Sequence, residues 1–255
     1  MKATEKVGRV GLARALSKMG FCSRSQAFEI IRDGRVRVNG SITKNPESPV
    51  RLERDRLEVD GERVALAEFV YLAMHKPRGI VTTASDEKGR ETVYDCLPQN
   101  LPWVGPVGRL DKASEGLLLL TNDSEWGAKI LAPETHLEKT YHVQVDRVAD
   151  NEMLAEIVRG VRVEGDLLRA QRARLLRHGA KNSWIEIVLD EGKNRQVRRM
   201  LEDLRVEVLR PVRVAIGPLE LGALKKGEVR ELTREEKDAL DEETSRPGKT
   251  PALAR

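Results

Sequence analysis

Residues 108–123 read GRLDKASEGLLLLTND. Leu117 to Leu120 form a continuous apolar run bounded by Gly116 on one side and Thr-Asn-Asp on the other, the pattern of a short strand in a hydrophobic core. Asp111 stands just ahead of that run. A carboxylate beside an apolar wall is driven towards its neutral form by desolvation unless a nearby cation favours the charged form. An acid kept at this position is therefore a candidate functional group, and it calls for a cationic partner from elsewhere in the chain.

Outward from this stretch, further strand-like runs follow one another from residue 69 onwards: FVYLAMHKP, GIVTTAS, KTYHVQV, RARLLR, SWIEIVLDE and VLRPVRVAI. Helical stretches are few. Asp150 is placed to cap a helix over 151–159, and Asn194 another over 195–204, where Val197, Met200, Leu201 and Leu204 share one face. Alternating βαβ units are absent, so the pattern predicts an α+β domain over 69–235 with a mixed, largely antiparallel sheet flanked by helices.

The first part of the chain has a different period. Leu12, Ala15, Leu16 and Met19 fall at helical spacing, and Gly20 sits where a left-handed cap belongs. Ser23 with Gln26 forms a capping-box pattern, and Ala27, Ile30 and Ile31 supply the apolar face of a second helix that Gly34 ends. Asn39-Gly40 and Asp60-Gly61 then mark two hairpin turns between short alternating runs. The reading is a small helix-turn-helix plus hairpin module over 9–66. The boundary near 65–69 rests on the change of period alone. The tail over 241–255 is polar, holds two prolines, and is expected to be disordered.

Composition narrows the class. The chain has 255 residues, 40% hydrophobic and 34% charged, with a net charge of +4, values that suit a globular protein with a charged surface. No apolar stretch approaches the roughly 20 residues of a membrane span, and the start lacks the apolar centre of a signal peptide, so a cytoplasmic protein with no membrane partner is expected. Cys22 and Cys96 have no CxxC spacing, and the four histidines are scattered singly, so no metal is predicted. Residues 1–44 hold ten Lys/Arg against three Asp/Glu, and residues 45–68 four against seven. A basic end on a near-neutral body fits the docking of a polyanion; a solvated charged face is the plain alternative.

The module over 9–66 resembles the alpha-L RNA-binding motif of a small-subunit ribosomal protein and of several RNA-modifying enzymes. The resemblance implies that its paired helices and following turn present Arg9, Arg14, Lys18, Arg24, Arg35 and Arg37 to RNA. Further on, HKPRG at 75–79, GRLDKASEG at 108–116, EKTY at 138–141 and EGKNRQVRRM at 191–200 stand in an order similar to the successive motifs of a pseudouridine synthase of the RsuA-type subfamily, which modifies ribosomal RNA. That likeness covers residues 9 to about 235.

The chemistry implied is the isomerisation of uridine. The bond from ribose to the base nitrogen breaks, the base turns, and its carbon 5 joins the sugar, with no outside reagent consumed and so no cofactor. A carboxylate is one of the side chains able to attack covalently. By resemblance Asp111 is the catalytic aspartate, acting either on the anomeric carbon or by removing a sugar proton. Lys193, after the glycine of GKNRQ, is implied as the cation that pairs with it, although by its local pattern it is an exposed lysine at the start of a basic helix. Tyr141 is implied to stack on the target base and to help remove the carbon 5 proton, although its local pattern is that of a half-buried strand tyrosine. Arg109 is expected to contact RNA near a nucleotide flipped out of its helix. Arg195, Arg198 and Arg199 are placed away from the Val197/Met200/Leu201 face, towards phosphates or simply water. Gly79 and Gly116 read as turn or close-approach positions, and Ser114-Glu115 departs from the two small residues commoner in the subfamily.

The partner implied is ribosomal RNA or a ribosomal-subunit assembly intermediate, met by a monomer. A noncatalytic RNA-binding or assembly protein that keeps the fold is the rival reading, and a uridine-directed hydrolase a third. The combination of Asp111, Tyr141 and Lys193 argues against the first, and the lack of a second carboxylate placed to activate water argues against the last.

Overall fold

The computed structural model describes residues 8–84 and 86–246. They divide into two units: the chain up to Val70 together with 98–105 and 121–124, and the remainder.

The first unit opens with β1 (Val10–Gly11), α1 (Leu12–Lys18) and α2 (Arg24–Arg32), followed by β2 (Val36–Val38), β3 (Ser41–Ile42), β4 (Pro49–Val50), β5 (Leu57–Val59) and β6 (Glu62–Arg63). The capping box at Ser23 is formed: the Gln26 N–H donates to Ser23 Oγ at 3.1 Å and the Ser23 N–H donates to Gln26 Oε1 at 3.0 Å. Two orphan donors at the start of α2 are thereby satisfied. Asn39 and Gly40 (φ 52° and 85°) join β2 to β3, and Asp60 and Gly61 (φ 53° and 87°) join β5 to β6. Both turns have the paired positive φ values that a two-residue hairpin of type I′ requires. The strands run in the order β3-β2-β5-β6, and Leu12, Ala15, Leu16, Ala27, Ile31, Val36 and Leu57 close a core against the helices.

The second unit is built on a nine-stranded sheet. Its strands are β7 (Tyr71–Lys76), β8 (Gly105–Val107), β9 (Glu115–Thr121), β10 (Lys139–Val145), β13 (Arg172–His178), β14 (Ser183–Leu189), β15 (Val208–Ile216), β16 (Leu219–Glu220) and β17 (Val229–Glu231). The main order is β13-β14-β10-β15-β9-β7-β17. The β9–β15 pair is parallel, whereas β10 is antiparallel to both its neighbours. The architecture is the α+β, mixed and mostly antiparallel one that the run of strands predicts. A small hairpin of β11 (Val161–Val163) and β12 (Asp166–Leu168) stands apart from this sheet. Helices α3 (Ser124–Leu131), α4 (Asn151–Arg159), α5 (Gln196–Asp203) and α6 (Arg234–Ser245) complete it. β9 lies between β15 and β7, and all four of its leucines are fully buried. At its start β9 meets β15 without a side chain between them. A Cβ on Gly116 (φ 114°) would lie 2.2 Å from the Arg213 carbonyl oxygen and 2.6 Å from its nitrogen, so only glycine allows that approach.

Several local expectations are corrected. Of GIVTTAS, residues 79–84 form no strand; a single bridge joins Val81 to Thr92, and Ser85 lies outside the described residues. Asn194 does not cap α5. Arg195 holds that position in a left-handed conformation, with no side-chain cap, and the helix begins at Gln196. The tail expected to be disordered from 241 starts inside α6, whose Thr233/Glu236 capping box, buried Leu240 and Trp126-to-Asp241 hydrogen bond (2.7 Å) hold residues up to 245 in a helix. Residues 247–255 of that expectation lie outside the described residues.

Candidate active site

The sheet carries β7, β9, β10 and β15 side by side, and the loops at their ends surround a cavity of about 290 Å³. Its wall includes Arg109, Asp111, Tyr141, Lys193, Arg195 and Arg198. That volume is at the low end of small-molecule sites and suits one nucleoside rather than a helix. Asp111 and Arg109 also border a more open hollow of about 470 Å³ shared with Thr82, Lys88 and Asn194.

Asp111 is held by its backbone. Its carbonyl accepts from the Ser114 N–H at 3.0 Å, closing a turn just before β9. Lys76, at the end of β7 and fully buried, donates its ammonium to the carbonyls of Asp111 (3.1 Å), Ser114 (3.0 Å) and Pro77 (3.1 Å). Burial pushes that ammonium down to about 8, and the charges of Asp111, Cys96 and Glu115 resist the shift. The Gly79 N–H donates to Lys112 O at 2.8 Å, and Thr82 Oγ1 donates to Leu110 O at 2.8 Å. The HKPRG segment is thus the brace of the aspartate loop. The side chain of Asp111 lies at an exposed position, ahead of the buried leucines of β9.

The expected pairing of Asp111 with Lys193 is not formed. Lys193 Nζ stands 3.2 Å from Glu191 Oε2 and donates to Leu167 O at 3.3 Å. Because α5 starts two residues after Asn194, Lys193 stays in the preceding turn, where its N–H meets Gln196 Oε1 at 3.2 Å. The cation that α5 brings to the site is Arg198. Its Nη1 donates to Val208 O at 3.3 Å, while Nε and Nη2 are buried with no hydrogen-bond partner among the described residues. Burial lowers this guanidinium from its ordinary value, helped by Arg195 and Arg78 and opposed by Glu202 and Asp111. A half-buried guanidinium with two buried, unused donors has the chemistry to receive an anion. Arg198 was expected to face away from the Val197/Met200/Leu201 stripe; it precedes Leu201 by three residues and instead borders that stripe, with two of its nitrogens buried.

The remaining candidates divide. Tyr141 is half-buried on β10, its ring packed on the core beneath while it lines the cavity. Arg109 is exposed at the rim. Arg195 stands 3.7 Å from Glu202, and Arg199 reaches Glu164 (3.2 Å), Asp166 (3.6 Å) and Val163 O, which ties it to the β11–β12 hairpin rather than leaving it turned to solvent. In the first unit Arg9, Arg14, Arg24, Arg35 and Arg37 are exposed and Lys18 is half-buried. Arg35 makes a two-pronged contact with Asp60 (2.9 and 2.5 Å), and Arg37 donates to Gly40 O at 3.0 Å.

Glu115, where the sequence departs from the commoner motif, is buried at the head of β9. Its carboxylate is held by Arg210 and by Lys226 (2.9 Å). Burial alone would push the carboxyl up, but the hydrogen bonds and charges of Arg210 and Lys226 outweigh it and hold Glu115 below the usual carboxylate range.

A small helix-hairpin unit is thus joined to a mixed-sheet domain that carries a carboxylate and a half-buried guanidinium on a nucleoside-sized cavity. Residues 70–203 match the family model described as RNA pseudouridylate synthase, and residues 10–57 match the S4 domain. The chain belongs to the RNA pseudouridylate synthase family, whose members are isomerases. It is 39% identical over 229 residues to the Ribosomal large subunit pseudouridine synthase B of Bacillus subtilis, covering 88% of this chain and 93% of that one. It is 37% identical to an uncharacterized RNA pseudouridine synthase of Rickettsia bellii, covering 88% and 96%. Among solved structures, a crystal structure of pseudouridylate synthase aligns with a TM-score of 0.64 at 30% identity, covering 91% of this chain and 99% of that one. No helix among the described residues is long and apolar enough to cross a membrane.

Proposed function

We propose that this protein converts a specific uridine of ribosomal RNA to pseudouridine in the cytoplasm, with Asp111 as the group that acts on the sugar. The observation that carries this reading is the convergence of Asp111, Arg198 and Tyr141 on one cavity of about 290 Å³. The name of the Bacillus relative favours RNA of the large subunit as substrate. The target nucleotide leaves its helix to reach Asp111, since the cavity has room for a single nucleoside. Arg198 supplies the positive charge first sought in Lys193, through two buried donors that have no partner among the described residues. Tyr141 stacks on the base, an interaction of roughly 1–3 kcal/mol, and takes part in moving the carbon 5 proton. Arg109 contacts RNA at the mouth, and Arg9, Arg14, Lys18 and Arg24 recruit it through phosphates.

The test is Asp111→Asn assayed on ribosomal RNA lacking the modification. Pseudouridine formation, read as a carbodiimide-reactive site with no change in RNA mass, should vanish while RNA affinity is retained. Turnover near that of the unaltered protein would remove Asp111 from its role. An abasic ribose in the product would point to a hydrolase, and binding without any modification by the unaltered protein to the noncatalytic rival.

A further inference from the structure

The cavity wall holds two cations to which the isomerase reading gives no task. Lys139 opens β10 and Arg213 lies on β15; Tyr141 is paired with Arg213 in the register of the two strands. Both line the cavity. Arg213 is 6% exposed; its Nε donates to Leu117 O at 2.7 Å, and its Nη2 is buried with no hydrogen-bond partner among the described residues. Lys139 is pushed down to about 8, first by burial and then by the charge of Arg213, with Asp190 pulling the other way. Asp111, Arg109, Lys193, Arg195 and Arg198 are the other charged groups on the cavity wall. Two cations forced together on one low-dielectric wall repel each other, and an anion between them relieves that repulsion.

The isomerisation creates such an anion. When the C1′–N1 bond breaks, its electron pair leaves with the base, whether the sugar is attacked at C1′ or loses its C2′ proton. The resulting uracil anion shares its charge over N1, O2 and O4. After the ring turns, C5 supplies the pair for the new C1′–C5 bond. C5 then gives up its proton, N1 gains one, and nothing is consumed. We propose that Lys139 and Arg213 form a cationic pocket for the detached uracil, donating N–H groups to its carbonyl oxygens while it carries the charge of the broken bond. The inference rests on the isomerase reading above. A phosphate is the other anion at hand, but phosphates stay with the strand at the mouth, beside the exposed Arg109 and Arg195, whereas Arg213 is buried.

Donors aimed at developing charge act on the rate rather than on ground-state binding. The experiment uses the full chain with target RNA carrying either uridine or 5-fluorouridine at the modified position, and follows loss of the starting nucleoside in a single turnover. Fluorine makes the departing base a more stable anion that needs less help. Lys139→Met should slow cleavage of uridine by about 10²–10³-fold, with RNA affinity unchanged, and the loss should be at least roughly tenfold smaller with 5-fluorouridine. Lys139→Arg, which keeps the charge, should restore most of the rate, and serves as well if the methionine variant does not fold. Equal losses on both bases, a loss confined to RNA affinity, or an unaffected rate would each overturn the proposal. Absence of pseudouridine formation by the unaltered protein would instead sink the isomerase reading beneath it.

Discussion

Arg198 carries two buried donors with no partner among the described residues. Each unsatisfied buried polar group costs about 1–3 kcal/mol, so this residue is a poor choice for stability and an apt one for holding an anionic site. Arg198→Met should therefore raise the unfolding free energy by about 1 kcal/mol while lowering single-turnover pseudouridine formation by about 10²-fold or more. Denaturant titration and a rate measurement on one preparation check both halves. A destabilised variant with normal turnover would show that Arg198 serves packing alone. Glu115 is the opposite kind of residue. With its carboxyl held below the ordinary value by Arg210 and Lys226, its contribution is complete above about pH 4.5 and is lost as pH falls through its lowered folded value. Glu115→Gln should cost about 1–3 kcal/mol near neutral pH, less than a fully buried pair because Arg210 and Lys226 are partly exposed. The gap to the unaltered protein should narrow in acid; a pH-independent gap would deny the ionic origin.

At the scale of elements, the join between β9 and β15 is the point on which the site turns. Gly116 adopts φ 114° and abuts the Arg213 backbone, five residues after Asp111 and on the strand behind Lys76 and Ser114. Gly116→Ala should destabilise the protein by about 2 kcal/mol or more through strain and clash, and should reduce turnover beyond the unfolded fraction because the aspartate loop shifts; thermal unfolding beside activity separates these. Ser23→Ala tests a more local claim. It removes the cap of α2 and should cost about 1 kcal/mol without changing the catalytic rate on saturating RNA. The elements legible in the sequence were those with a complete local code: the α2 capping box, the two hairpin turns and the leucine run of β9. The helix α6 also had such a code in Thr233 and Glu236, hidden by the polar composition around it. The stretch over 79–84 has strand-forming residues but pairs only through the single bridge from Val81 to Thr92.

At the scale of the whole molecule, RNA recruitment is an electrostatic claim. Gln in place of Arg9, Arg14 and Arg24 should leave the fold intact, since all three are exposed. The variant should reduce the slope of log affinity against log salt by about 0.7–0.9 for each phosphate that it no longer neutralises. An unchanged slope would assign recruitment to another surface. Arg35 is kept in that variant because Asp60 already neutralises it.

The order of motifs, the two periods of the chain and the carboxylate at the head of a buried strand were determined by sequence alone, because helix caps, hairpin turns and apolar periodicity are short-range physics. Which cation of 191–200 brings unused donors to the cavity that Asp111 lines was decided only in three dimensions. Lys193 and Arg198 lie five residues apart, and the left-handed Arg195 between them sends one side chain to Glu191 and leaves the other's donors buried at the cavity. The buried donors of Arg213, the neighbouring Lys139 and the brace supplied by Lys76 likewise depend on strands distant in the chain meeting in one sheet. Such long-range pairings are set by the packing of the whole sheet, and no local pattern encodes them.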